Sequence, residues 1–155
     1  MANKKGYTLR SDLEKARASA LACLSMREHS NQELQEKLTR KGYESASIEM
    51  VLAECLSYNY LNDKRFAEIY WRTRSNKGFG PNKISQELKQ KGISAELIDS
   101  AFKQDELDFA KTIQNVYVKK FKGKEILDFK DKAKRQNYLY RRGFGMDLIK
   151  TVIWE

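Results

Sequence analysis

Proline is almost missing from this sequence: Pro81 is the only one in 155 residues, and only eight glycines accompany it. So few chain breakers exclude a fold of many short strands and tight turns, and with abundant Lys, Glu, Leu and Ala they favour helices. Cysteine occurs twice, as Cys23 and Cys55, both inside apolar helical patterns. Two such residues read as buried reduced thiols rather than as a disulfide scaffold or a metal site. Histidine occurs once, as His29 beside a helix start. It reads as structural or solvated, and alone it can build neither a Ser–His–acid set nor a His/Cys metal cluster. No stretch is long and apolar enough to span a bilayer, and the segment holding Lys4, Lys5 and Arg10 has no apolar run of the signal-peptide kind. The expectation is a cytoplasmic protein that needs no cofactor.

Charge and aromatic residues are plentiful. Hydrophobic residues make up 41% and charged residues 33%, enough apolar material for a core under a wet surface. Two Trp, eight Tyr and seven Phe add much buriable area, which argues against a disordered chain. The formal net charge is +9, and an excess of that size suits a polyanionic partner, a nucleic acid or an acidic protein surface. The excess is graded: 9 basic against 8 acidic groups over residues 1–58, 9 against 6 over 59–105, and 12 against 7 over 106–155. A polyanion contact is therefore expected toward the C-terminal two thirds.

One pattern occurs three times. Gly42, Gly92 and Gly143 are spaced by 50 and 51 residues. Leu38, Leu88 and Leu139 stand four residues before them, and Tyr43, Ile93 and Phe144 one residue after. Ile48, Ile98 and Ile149 follow at the sixth position, then Val51 and Leu52, Ala101 and Phe102, Val152 and Ile153. Apolar residues at this spacing share a helix face. A glycine after a run ending in Lys or Arg is a helix stop, because glycine enters the left-handed region without a Cβ clash and the cations complement the helix dipole. Ser30 with Glu33 forms a capping box, Pro81 suits a first turn, and Ser94 and Asp63 suit caps. A further helix is expected before each pair, over residues 12–27, 63–76 and 105–120. The reading is an all-α fold of three tandem three-helix repeats, at 12–58, 59–104 and 105–155, behind a flexible basic segment 1–11. Since an outer repeat buries its helices poorly alone, the repeats should stack into an elongated, curved array.

No catalytic constellation emerges. Gly78 and Gly80, flanked by Lys77 and Lys83, lack the phosphate-loop signature and a preceding strand, so residues 77–83 read as a helix-joining loop with exposed cations. Pairs such as Glu33 and Glu36 sit in first helical turns, where the dipole accounts for them. Phe66, Tyr70, Trp71 and Phe79 are expected mostly in the core. Trp154 is expected to pack the last helix, and one of Tyr138 and Tyr140 to be exposed. The functional material is basic: Arg72, Arg74, Lys77 and Lys83 in the second repeat, a run at Lys119, Lys120, Lys122 and Lys124, and Lys130, Lys132, Lys134, Arg135, Arg141 and Arg142 along one helix of the third. The site expected to meet a partner or DNA is Arg72, Arg74, Lys77, Lys83, Lys132, Arg135, Arg141 and Arg142, on a protein that binds rather than catalyses.

Several of these residues also form a recognisable set. Tyr60-Leu61-Asn62-Asp63 with Arg65-Phe66-Ala67, then Gly78-Phe79-Gly80-Pro81, then Ile84, Glu87-Leu88 and Lys91-Gly92-Ile93 resemble the central region of the RecX family of bacterial recombination regulators. Arg27-Glu28-His29-Ser30 with Glu33-Leu34 and Lys37-Leu38, and Tyr140-Arg141-Arg142-Gly143-Phe144, fit the same family. The likeness leaves out about the first ten residues and the connection 121–130. It implies a non-enzymatic, monomeric protein that binds the RecA recombinase filament on single-stranded DNA and damps its ATPase and strand exchange. Single-stranded DNA would be touched directly or through the filament. The alternative is a general DNA-binding repeat protein that grips phosphates through its basic face.

Overall fold

The computed structural model describes residues 4–154, with side chains described from Arg10 onward. Among these residues there are nine helices and no strand. They fall into three triplets: α1 (Lys4–Met26), α2 (Asn31–Arg40) and α3 (Ser45–Ser57); α4 (Asp63–Asn76), α5 (Pro81–Gln90) and α6 (Ala95–Phe102); α7 (Phe109–Phe121), α8 (Phe129–Arg141) and α9 (Met146–Ile149). The chain is thus all-α, with three three-helix units in tandem.

The glycine stops behave as their sequence context demands. Gly42, Gly92 and Gly143 all have positive φ, at 87°, 79° and 102°. After Gly42 and Gly143 the next residue folds back: Tyr43 N–H bonds the Leu38 carbonyl at 3.4 Å and Phe144 N–H the Leu139 carbonyl at 3.1 Å. These are Schellman closures, which satisfy carbonyls a helix end would otherwise leave bare. The capping box at Ser30 is complete, Ser94 caps α6, and Asp108 and Asp128 cap α7 and α8. Asp63 is not the cap of α4: Asn62 Oδ1 accepts from Arg65 N–H at 3.0 Å, which leaves the Asp63 carboxylate to accept from Asn31 N–H at 2.8 Å.

Some boundaries differ from expectation, each for a local reason. The segment expected to be a flexible N-terminus is helical from Lys4 onward, while residues 1–3 lie outside the described residues. The third triplet begins at Phe109 because Asp108 supplies the cap, its carboxylate accepting from Lys111 N–H at 3.1 Å. The last helix is one turn only. Its N-cap, Gly145, has no side chain to offer, and beyond Ile149 the chain continues in tight turns that still bury Ile153. Trp154 does not pack the last helix but is 78% exposed, because Ile153 takes the final core position. Phe66 and Trp71 are core residues as expected, whereas Tyr70 and Phe79 are half-buried.

Three repeats condense into two compact units. The first comprises residues up to Phe66 together with Lys91–Ile93, and the second comprises Ala67–Gln90 and everything from Ser94. In the first unit, Ala16 and Ala20 of α1 join Leu34, Leu38, Ile48, Val51, Leu52, Cys55 and Leu61 in one core. Alanines four apart let α1 and α3 approach closely. Burial pushes the Cys55 thiol up, so that side chain stays a neutral apolar filler. In the second unit, Trp71 packs with Phe102 and Phe109 at centroid distances of 5.1 and 5.9 Å, and its indole N–H donates to the Ile98 carbonyl at 3.2 Å. Ile84, Leu88, Ile113, Leu139, Phe144, Ile149 and Ile153 are also buried there.

Candidate functional site

Several residues with functional appearance hold the first unit together. Ser30 accepts from Glu33 N–H at 3.1 Å and donates to the Lys91 carbonyl at 2.7 Å. Burial would raise the Glu33 carboxyl, but hydrogen bonds from Arg27, the Ser30 N–H and Lys91 outweigh it and hold the group at about 2. Arg65 forks onto Glu28 at 2.7 and 3.3 Å and donates to the Asn59 and Tyr60 carbonyls. His29 is buried, with Nδ1 3.1 Å from the Arg27 carbonyl and Nε2 2.9 Å from Lys37 Nζ. That pairing sets Nδ1–H as donor and Nε2 as acceptor. Burial, reinforced by the nearby cations Arg27 and Lys37, lowers its proton affinity even though the bond to the Arg27 carbonyl works the other way.

The second unit assembles the basic residues. The loop Gly78-Phe79-Gly80-Pro81 is a socket for the glycine turn that ends α8. Gly80 N–H donates to the Arg142 carbonyl at 2.8 Å and Asn82 N–H to the Gly143 carbonyl at 2.9 Å. Arg142 returns the contact with its guanidinium, donating to the Gly78 and Lys77 carbonyls at 3.1 and 2.8 Å. Phe79 then carries three cations: Arg74 Cζ at 3.8 Å, Arg142 Cζ at 4.5 Å and Lys83 Nζ at 4.9 Å from the ring centroid.

The eight expected site residues divide accordingly. Arg74, Lys83 and Arg142 meet around Phe79, with Lys77 on the adjoining turn. Arg74 is also paired bidentately with Glu87 at 3.0 and 2.9 Å. Arg72 donates to Gln104 at 2.7 Å. Lys132 is half-buried and Arg141 exposed, neither with an ion-pair partner among the described residues. Arg135 is not a contact residue: it is 3% exposed, donates to the Tyr117 hydroxyl and to the Lys124 and Glu125 carbonyls, and pairs with Asp131 at 3.1 Å. A guanidinium with all these partners anchors the 122–128 connection and has no donor free for a ligand.

Arg142 also lines a cleft of about 670 Å³, together with residues of the end of α4, the turn after it, α7 and α8. Lys77, Lys111, Lys119 and Lys120 line it with Arg142, against two carboxylates, Glu106 and Asp108. Lys111 was missed in the sequence because a single lysine in a helix carries no signal. With Asn115 and Lys119 it forms an i, i+4, i+8 row on α7, and only the fold shows that this row faces Lys77. On another face α8 presents Lys130, Lys134, Asn137, Tyr140 and Arg141 along a shallow groove, and Leu127 and Phe129, just before Lys130 in the chain, are 87% and 86% exposed. Tyr140 is 65% exposed and Tyr138 half-buried, so the exposed tyrosine of the pair is Tyr140.

Among the described residues no cluster of His, Cys, Asp and Glu could hold a metal ion, and no helix is long and apolar enough to cross a membrane. Glycine-closed helix triplets with an assembled, partly unpaired set of cations define a basic helical-repeat protein. Comparison with known proteins makes the class specific. Family models for the first, second and third RecX three-helix domains match residues 16–55, 62–101 and 106–153. The regulatory protein RecX of Legionella pneumophila is 39% identical over 143 residues, covering 92% of this chain and 95% of the relative. That of Cronobacter sakazakii is 41% identical over 143 residues, covering 86% and 87%. The crystal structure of RecX from Lactobacillus salivarius superposes with a TM-score of 0.72 over 92% of this chain and 95% of that one, a likeness of fold at 24% identity. The chain belongs to the RecX family of regulatory proteins.

Proposed function

We propose that this chain is a non-enzymatic regulator that binds the RecA filament on single-stranded DNA and damps ATP hydrolysis and strand exchange. Membership of the RecX family over nearly the whole chain is the observation that carries the reading. The chemistry agrees with it. Three tandem triplets offer several modest contacts whose energies combine when they engage one polymer. Exposed apolar side chains accompany the cations: Leu127, Phe129 and Tyr140 beside Lys130, Lys134 and Arg141. Such mixed surfaces suit a protein partner better than a bare polyanion, since aromatic and arginine side chains dominate binding energy at protein interfaces. In this reading the protein acts as a cytoplasmic monomer and performs no chemical step.

The decisive experiment is RecA ATP hydrolysis on single-stranded DNA, with and without the protein. A dose-dependent fall in rate supports the reading, and an unchanged rate rejects it. A second reading, direct grip on DNA phosphates, is favoured by Lys77, Lys111 and Lys119, which have no ion-pair partner among the described residues. Salt separates the two. Phosphate binding weakens steeply as salt rises, whereas a protein–protein contact with an apolar component weakens less.

A further inference from the structure

The second unit holds a cleft whose charge and shape specify a ligand more narrowly than either reading above. Five cationic side chains, Lys77, Lys111, Lys119, Lys120 and Arg142 among them all, face two carboxylates across about 670 Å³. One of those carboxylates, Asp108, is already engaged in capping α7 through Lys111 N–H. The lysines Lys77, Lys111 and Lys119 form no ion pair within the described chain, so their charge is available to a ligand.

The cations are strung out rather than gathered. Lys111 and Lys119 are eight residues apart on α7, so roughly 12 Å of helix axis separates them. Lys77 faces this row from the turn after α4, and Arg142 is held in place by its bonds to the Gly78 and Lys77 carbonyls. That spread suits successive phosphates along a chain better than one compact terminal group. The aromatic wall, Tyr138, already carries Lys120 Nζ at 5.1 Å and Arg142 Cζ at 5.9 Å from its ring centroid. Its ring already contacts these two cations and Phe121 at 5.8 Å, so the cleft offers cations rather than a stacking platform, and recognition would be of backbone and not of sequence. A spaced row of cations inside a cleft suits a single strand, whose flexible backbone can follow the groove.

We propose that this cleft is a phosphate-backbone site for a single nucleic-acid strand, gripped without regard to sequence. The proposal rests on the second reading above, direct contact with DNA, and names the place and form of that contact. It is tested with the full chain and a fluorescein-labelled oligothymidylate, by polarisation across a salt series. Counterion release from single strands contributes a slope of about −0.7 in log affinity against log salt for each phosphate neutralised. The double variant Lys111→Gln/Lys119→Gln should bind about tenfold more weakly at low salt, with the slope shallower by about 1.4. Both residues are exposed, and circular dichroism checks that the helices persist. The matched variant Lys64→Gln/Lys150→Gln removes the same charge from exposed positions outside the cleft and should leave affinity and slope near wild type. Equal weakening by both pairs, or by neither, overturns the cleft as the site. Competition by ATP or by a duplex matching that of unlabelled oligothymidylate overturns the single strand as its ligand. If the wild-type chain fails to bind the oligonucleotide, direct DNA contact falls and this inference with it, while the RecA ATPase assay decides the filament reading independently. Cleft-dependent binding with no effect on RecA would uphold the site and reject the filament reading.

Discussion

At the scale of single residues, buried polar networks in the first unit determine how stability responds to pH. Glu33 is held at about 2 in the fold against an ordinary value of 4.5. A carboxylate with a depressed folded value adds stability that is fully present above the unfolded value and is lost as pH falls through the folded one. The contribution of Glu33 should therefore fade between about pH 4.5 and 2. Glu33→Gln should remove that dependence and cost about 1–3 kcal/mol at neutral pH, because Arg27 and Lys91 lose a charged acceptor. Urea unfolding at several pH values checks both. His29 is the other case. Its folded value lies below the ordinary 6.5, so its share of stability is present above that value and is lost as pH falls below it. Protonation would set an imidazolium against Lys37 Nζ, now 2.9 Å away. His29→Gln should flatten the fall in melting temperature between pH 7 and 5.

At the scale of elements, close backbone approach governs the second unit. Gly80 and Gly143 meet where the loop after α4 seats the turn after α8, and a Cβ on Gly80 would overlap the Gly143 backbone. Neither neighbour is a flexible side-chain tip, so the chain has to shift. Gly80→Ala should destabilise the protein by about 2 kcal/mol or more, measured by chemical denaturation. Gly42→Ala is the useful contrast: its φ of 87° is also left-handed, but nothing lies within contact of a Cβ there. It should cost only the conformational penalty of about 1–2 kcal/mol. Arg135→Ala belongs here too. It should loosen the 122–128 connection, raising amide exchange in that segment, and not act first on ligand affinity.

At the scale of the molecule, three repeats in the chain become two compact units. The chain leaves the first unit within α4, returns for Lys91–Ile93 and leaves again. Unfolding one unit therefore pulls on a helix that belongs to both. Trp71 is buried in the second unit and Trp154 is exposed, so a change in tryptophan environment on unfolding reports the second unit. A core lesion in the first unit, such as Leu34→Ala, should shift the fluorescence and circular dichroism transitions together. Separation of the two curves would show that the units unfold independently.

Helix class, the glycine stops, the caps at Ser30 and Ser94 and the threefold repeat were determined by the sequence alone, because each depends on residues a few positions apart. Periodicity at i and i+4, a side-chain oxygen before a helix and the left-handed freedom of glycine all act within one or two turns of chain. Arg74, Lys83 and Arg142 could be named from composition, but their meeting on Phe79 could not, nor could the burial of Arg135. Lys77 and Lys111 are separated by two helices and a boundary between repeats. Whether a cation faces a cleft, a carboxylate or water depends on which distant backbone packs beside it, and only the tertiary structure decided that.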